Sequence, residues 1–362
     1  NDTMIYASYS RGYKAGGANP PTIGFTDKTF ASQLGLPPGA FPPYDRPSLT
    51  VFAKDYGPTF RPEYVNAFEL GTKNSFMNGA LTLNATAFLY DYKDYQVSQI
   101  KDRTAVNENF DALVYGLEFE TLFAPTERLV FNANLGLMKT KIGKGEKSID
   151  IFNRTQGNPD YVVVKPWIQL PSNCVVPTAV AQYFLERINT SGANTDDLVG
   201  YWGALCGGTV YDGGALASPG SVTPVGYDPS QNPNGGAGFY ADLSGNELPN
   251  SPRFTINVGT QYTIPFSDGW EATLRGDYYR QGKSFARVYN TVGDRLRGWS
   301  NVNLSLRVAN IDNGLVMEAY VKNVFNKAPI TDAFLNSDDS GLTTNVFTLD
   351  PRIIGFSNGK KL

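Results

Sequence analysis

The strongest constraint on this chain is a rhythm in its connections. Segments that alternate apolar and polar residues are joined by tight turns, then by far longer stretches, then by tight turns again. The turns are SFMNG (75–79), APTER (124–128), PFSDG (265–269) and ANIDNG (309–314), each with Gly, Asp, Asn or Pro chemistry. Between them lie 14–62, 93–111, 143–251, 281–298 and 325–350. Short turns at one end and long loops at the other are the pattern of a transmembrane barrel; a soluble sandwich has no reason to keep it.

The alternation itself is clean in four places. Leu81, Leu83, Ala85, Ala87 and Leu89 share one face, with Thr82, Asn84, Thr86 and Phe88 opposite. Leu129, Phe131, Ala133, Leu135 and Leu137 stand against Asn132 and Asn134. Phe254, Ile256, Val258, Tyr262 and Ile264 stand against Thr255, Asn257, Gln261 and Thr263. Trp270, Ala272, Leu274 and Tyr278 stand against Glu271, Thr273, Arg275 and Asp277. On a helix of 3.6 residues per turn such positions would scatter around the axis, so strands are predicted. Weaker alternation over 3–13, 63–74, 112–123, 299–308, 315–323 and 352–361 completes ten antiparallel strands. Tilted strands of nine to eleven residues suit a hydrocarbon slab, whereas strands of soluble proteins average about five or six. The polar faces carry Glu69, Lys73, Glu118, Glu120, Arg307, Glu318 and Lys322. In a soluble sandwich this face is simply solvated; in a large barrel it is the wall of the lumen.

Composition removes several function classes. The chain has no His, so the commonest general base and metal ligand are missing. A net charge of −3 gives no basic footprint for nucleic acid. No catalytic constellation, cofactor motif or metal-ligand cluster is found. NPNGGAG (232–238) is Gly-rich but lacks the Lys and Ser/Thr that a phosphate loop needs. No run of about 18 apolar residues marks a membrane helix, which leaves barrels open because a spanning strand is half polar. The residues at the start, Asn1-Asp2-Thr3, carry no signal peptide.

The stretch from about 143 to 250 is the most informative loop. Between Lys144 and Glu247 it holds ten acidic and five basic residues, and it is rich in aromatics: Tyr161, Trp167, Tyr183, Tyr201, Trp202, Tyr211, Tyr227, Phe239 and Tyr240. Loops this long without a role are uncommon. Val180, Tyr183, Phe184 and Ile188 recur at helical spacing, which predicts a short amphipathic helix over 178–188. The aromatics either pack the loop onto itself or reach inward as ligand platforms. Cys174 and Cys206 both fall here; they form a disulfide or remain two thiols, and the exposed surroundings favour the disulfide.

Several segments resemble TonB-dependent outer-membrane receptors. IYASYSRGYKAGGAN (5–19) resembles a strand rising into a long outer loop of that family. RPEYVNAFELGTKNSF (61–76) and LTLNATAFLYDYKDYQ (81–96) are similar to its paired strands, and VYGLEFE (114–120) to the strand that follows. YVKNVFNKAP (320–329) and PRIIGFS (351–357) look like its near-terminal and closing strands. The order and spacing match along the chain outside the large loops. The resemblance implies a 22-stranded barrel of which these are strands 13–22, with a plug domain and a TonB-contacting segment outside this chain. Family members close on an aromatic residue, whereas this chain ends Gly359-Lys360-Lys361-Leu362. Ten strands with two open edges are also a poor membrane structure. The expectation is therefore that residues 1–362 are the C-terminal part of a larger barrel.

The resemblance implies a receptor rather than an enzyme, in the bacterial outer membrane, taking up a scarce solute with TonB-ExbB-ExbD. Its partners would be outer-membrane lipid and lipopolysaccharide and a small-molecule ligand. A ferric siderophore comes first as cargo; a carbohydrate or aromatic compound suits the aromatics equally. Haem is disfavoured because the YKAGG and FRPE stretches carry no His. A passive porin and a soluble secreted β-protein are the alternatives from other classes. Candidate ligand residues in the loops are Arg11, Lys14, Tyr92, Tyr95, Arg103, Trp167, Tyr201, Trp202, Tyr279 and Arg287.

Overall fold

The computed structural model describes residues 2–19, 59–101, 104–165, 173–190, 205–206, 223–336 and 343–360. Ten strands form one antiparallel sheet in which each pairs with the next in sequence. They are β1 (Asp2–Lys14), β2 (Glu63–Phe76), β3 (Leu81–Lys101), β4 (Thr104–Thr126) and β5 (Leu129–Ile142). The second half is β6 (Phe254–Ser267), β7 (Trp270–Gln281), β8 (Trp299–Asn310), β9 (Leu315–Lys322) and β10 (Ile353–Lys360). All ten fall where the alternation placed them. The four tight turns lie together at one end of the sheet and the long connections at the other. Gly269 and Gly314 close two of these turns with φ of 69° and 70°, a region in which a Cβ is strained.

The ladder registers assign every strand residue to one of two faces. Leu83, Phe119, Leu135, Ile256, Leu306, Ala319 and Phe356 share one face with Leu70, Leu89, Leu117, Leu137, Val258, Leu274 and Leu304. Most of these large apolar side chains are exposed. Glu69, Lys73, Glu118, Glu120, Asn132, Asn134, Arg275, Asp277, Arg307 and Glu318 occupy the opposite face. There the charges are paired along the wall: Arg307 donates to Glu271 at 3.2 Å, and Arg275 to Asp277 at 2.9 Å.

A sheet whose apolar face is bare and whose polar face is cross-linked is inverted relative to a soluble sandwich. The lipid bilayer is the solvent that makes this arrangement favourable. Aromatics border the apolar face at both ends. Phe123, Phe131, Tyr262 and Trp270 lie toward the turns; Tyr13, Tyr64, Tyr115 and Tyr278 lie toward the loops. Eight residues separate Trp270 from Tyr278 and likewise Tyr115 from Phe123. At about 3.3 Å per residue that is roughly 26 Å of strand, close to the apolar height of such barrels.

Three aromatics on the polar face lie across a facing glycine: Tyr6 on Gly71, Phe88 on Gly116 and Tyr320 on Gly355. At Gly116 a Cβ would meet Phe88 Cζ at 2.8 Å and the Leu137 carbonyl oxygen at 2.0 Å. The glycine in the VYGLEFE segment is thus a packing requirement.

The stretch 93–111 corrects the sequence reading. It is not an open loop, because β3 and β4 stay paired as far as Lys101 and Thr104. A bulge between Tyr92 and Tyr95, with Asp94 at φ 57°, shifts the side-chain phase by one. Beyond it the ribbon stands clear of the membrane-spanning part, its inner face covered by loops. Arg61 holds the bulge through an ion pair with Asp94 at 2.6 Å.

Candidate functional site

The apolar packing of the chain is concentrated at the loop end. One cluster joins Phe88, Val97, Phe110 and Val114 of the β3–β4 ribbon to Ile142, Leu243, Leu248, Val288 and Tyr289. The ribbon thereby becomes a wall against which two other loops fold. The stems of the large loop continue β5, with Lys147–Ser148 paired to Ala241–Asp242. Asn290, at φ 52°, locks this loop to the β7–β8 connection: its side chain accepts from the Glu247 amide at 2.7 Å and donates to the Glu247 carbonyl at 3.0 Å.

Two polar networks are enclosed in this packing. Lys101, 2% exposed, donates to Glu108 at 2.8 Å and to Ser148 at 3.0 Å. Ser148 donates to Glu108 at 2.8 Å and lies 3.0 Å from the Tyr289 hydroxyl, which donates to the Ile149 carbonyl at 2.8 Å. In the second network Arg287 pairs with Asp150 at 2.7 Å and Asp294 at 2.5 Å. Asp294 is fixed in turn by the Thr291 amide and hydroxyl at 3.0 and 2.8 Å. Burial by itself would depress Arg287, but the two aspartates outweigh it and hold the guanidinium above its usual value.

Burial raises the Tyr289 phenol well above the ordinary tyrosine range, and the nearby Glu108 raises it further. The folded cluster therefore binds its proton more tightly than the unfolded chain, whose tyrosines titrate near about pH 10. The contribution of this site is complete below that value and falls as pH rises above it. Alkaline titration should loosen the loops while the barrel persists. Tyrosinate absorbance should show a late-titrating fraction that is smaller by one tyrosine in Tyr289→Phe; a Tyr289→Phe titration identical to wild type would refute the assignment.

Between the two networks lies a cavity of about 250 Å³. Val97, Ile100, Ile151, Val288, Phe334 and Leu335 supply its apolar lining, and Lys101 and Arg287 stand at its edge. Four segments from separate connections meet here: the ribbon, the large loop, the β7–β8 loop and the hairpin Ile330–Leu335/Thr344–Thr348. A space of this kind has the dimensions and apolar lining to hold a small group. Among the described residues no cluster of three or more His, Cys, Asp or Glu is placed to hold a metal ion.

The family model described as TonB dependent receptor-like, beta-barrel, matches residues 1–324. The chain belongs to the TonB-dependent receptor family. This receptor chain shares its fold with the ferric yersiniabactin uptake receptor FyuA of Yersinia pestis, at 15% identity and a TM-score of 0.53. It also resembles the siderophore receptor PiuA of Acinetobacter baumannii, at 16% identity and a TM-score of 0.51. Each match covers 99% of this chain and 34% of the other, so the chain spans about a third of those receptors. TonB-dependent receptors are outer-membrane transporters rather than enzymes.

Within the receptor the sequence candidates separate. Tyr92 and Tyr95 pack edge-to-face at 5.2 Å against the cluster that holds Tyr289. Arg287 lines the cavity but is engaged by its aspartates. Tyr279 stands apart on the inner wall, donating to Gln281 at 2.9 Å beside Trp299. Lys14 is exposed on the inward face at the loop end of β1, and Arg11 points away from the lumen, over the Tyr64 ring. Arg103, Trp167, Tyr201 and Trp202 lie outside the described residues, as does Tyr211.

The loop aromatics that are described pack the loop onto itself: Tyr161 on Phe239, Tyr240 under Lys147, and Tyr183 under Arg187. The expected helix is present as α1 (Thr178–Thr190), with Phe184 fully buried against the Cys174–Cys206 disulfide and Leu205. Sequence reasoning missed Lys101, Glu108, Ser148, Asp150, Tyr289 and Asp294. One signal was available, since Thr291-Val-Gly-Asp294 is a capping-box spacing and forms one.

Proposed function

We propose that residues 1–362 are the C-terminal portion of a TonB-coupled receptor, supplying strands 13–22 of a 22-stranded barrel, with the loop end outside the cell. Its cargo is a scarce solute, with a ferric siderophore as the first substrate class. The observation that carries this reading is the cavity at which four loop-end segments converge beyond the polar inner wall. The two matched receptors, one for ferric yersiniabactin uptake and one a siderophore receptor, support the substrate class. A plug domain and a segment reaching TonB-ExbB-ExbD belong to the rest of the protein in this reading.

A second substrate class has its own support. The cavity is mostly apolar, and both cations at its edge are already matched by carboxylates. That favours a neutral or aromatic moiety, such as an aromatic compound or a sugar face, over a polyanion.

The test is uptake in cells carrying the whole receptor under iron restriction, using labelled ferric siderophores, carbohydrates and aromatic compounds. TonB-dependent accumulation of a ferric siderophore is expected. Accumulation unaffected by loss of TonB would make the barrel a passive pore. Orientation is read separately: an impermeant thiol label added to intact cells should modify Gly235→Cys but not Asp312→Cys.

A further inference from the structure

The four segments around the cavity of about 250 Å³ are not held alike. Three of them are bound to one another by buried polar contacts. Lys101 and Glu108 of the ribbon meet Ser148 of the large loop, which meets Tyr289 of the β7–β8 loop. Arg287 joins Asp150, and Asn290 joins Glu247. The hairpin Ile330–Leu335/Thr344–Thr348 differs. The side-chain hydrogen bonds made by Thr331, Asp332, Asn336 and Asn345 all stay within it. Among the described residues, no hydrogen bond or ion pair joins 330–336 or 343–348 to another connection. Its hold on the loop end is apolar, through Ala333, Phe334 and Leu335 in the cavity lining. Leu335 is 8% exposed, whereas Phe334, on the other face of the strand, remains 38% exposed and stands at the rim.

The foot of the hairpin, by contrast, is fixed. Buried Asn323 donates its side chain to the Lys327 carbonyl at 2.7 Å and the Asp350 carbonyl at 2.8 Å. Its amide donates to Asn303 of β8 at 2.9 Å. Above this anchor the Leu349 amide donates to the Pro329 carbonyl at 3.2 Å and closes the base. A two-stranded piece on a fixed foot, resting on an apolar face, has the geometry of a hinged cover. Swinging it away exposes apolar surface but leaves no buried polar group without its partner. Separating any of the other three segments would strand Lys101, Glu108, Arg287 or Asp150 as an unpaired charge. The hairpin is therefore the wall that yields first.

The lining narrows what the cavity takes. An apolar cavity of about 150 Å³ holds benzene, so about 250 Å³ suits one substituted ring or two fused rings. A charged group gains little, because Lys101 and Arg287 already face carboxylates. A sugar is also a poor occupant. The polar side chains Ser98 and Gln99 are engaged by Asn107 and Glu108, so hydroxyls would lose water without replacement.

We propose that the hairpin is the hinged cover of this cavity, that the cavity takes a neutral aromatic group, and that Phe334 selects which ring fits. The inference rests on the reading of the loop end as the cargo-binding side, and deepens it to a cargo bearing such a ring.

The test uses the full receptor in lipid nanodiscs, with the native disulfide left oxidised and 2-naphthol as the probe. Leu335→Cys and Leu248→Cys each place a thiol at a buried position, the first under the cover and the second in the cross-linked packing. A water-soluble thiol reagent should modify Leu335→Cys at least about tenfold faster, as expected where one segment opens locally. Saturating 2-naphthol should slow that reaction by holding the cover shut, and should leave Leu248→Cys unchanged. The anionic ring 2-naphthoate should protect poorly. In the Phe334→Ala background, labelling should be faster and protection by 2-naphthol weaker. Equal rates at the two cysteines overturn the cover. Labelling indifferent to 2-naphthol, or slowed as much by 2-naphthoate, overturns the ligand class, and protection unaltered by Phe334→Ala removes the selecting role. A measurement on wild type needs no variant: saturation-transfer NMR should show saturable binding of 2-naphthol well above that of 2-naphthoate, and equal binding again overturns the proposal. The receptor reading fails separately. Its failure would show as uptake indifferent to TonB, or as labelling of Asp312→Cys in intact cells, whatever 2-naphthol does in nanodiscs.

Discussion

Leu135→Arg should destabilise the barrel by about 2–4 kcal/mol, the cost of a cation near the bilayer midplane. Leu135 faces lipid between Phe131, in the turn-end aromatic row, and Lys139, at the loop end. Ile256, its ladder partner, lies two residues from the loop-end start of β6, and Leu83 two residues from the turn-end start of β3. Arg at either should cost less than at Leu135, because the cost falls toward the interfaces, where a long side chain can reach water. Inward substitutions should be milder still. Asn134 faces Glu120, so Arg there gains an opposite charge, and Thr263 shares only a 3.0 Å hydroxyl contact with Thr273. Urea unfolding of the receptor in lipid vesicles reads these differences. Costs that are equal on the two faces would contradict the lipid-facing assignment.

The same two faces explain what was legible in the sequence. Strict alternation survives to the folded state because every strand has hydrocarbon on one side and a polar lumen on the other. A one-residue slip would expose an entire row to the wrong solvent. The tight turns announced themselves through residues able to take positive φ, Asn78, Gly269 and Gly314 among them. The extension of β3 and β4 was not legible for the converse reason. Asp94 inserts one residue, so Asp91 and Lys93 face outward while Tyr95, Val97 and Gln99 face inward. Read straight through, the period breaks at that point and the segment passes for a loop.

The site was less legible still. Lys101, Glu108, Ser148 and Tyr289 come from three separate connections. None belongs to a spaced motif, and only the tertiary fold gives each of them a partner. The aromatics of the large loop were conspicuous by composition, yet those described serve its internal packing. The pairing of Cys174 with Cys206 followed from their shared loop, whereas the small core around them could not be read in advance.

That core sets the last expected result. The disulfide closes a loop of 32 residues, with both cysteines buried beside Val176, Val180, Phe184 and Leu205. Tyr227 caps the assembly, its hydroxyl donating to the Leu205 carbonyl at 2.7 Å and accepting from Asn232 at 2.8 Å. Closing a loop of this size removes chain entropy worth roughly 3–4 kcal/mol in the simple model. The local packing supplies part of the restraint, so reduction should loosen the module without dispersing it at once. Consequences for the sheet should be slight, because among the described residues the module joins β5 and β6 through the loop stems. A tethered loop loses less freedom when it closes over a ligand, so the double variant Cys174→Ser, Cys206→Ser should bind more weakly while barrel melting stays unchanged. Ligand affinity and the barrel transition, measured on the same preparation, separate the two contributions. Unchanged affinity would confine the disulfide to holding α1 in place, and a lowered barrel transition would mean that the loop supports the sheet itself.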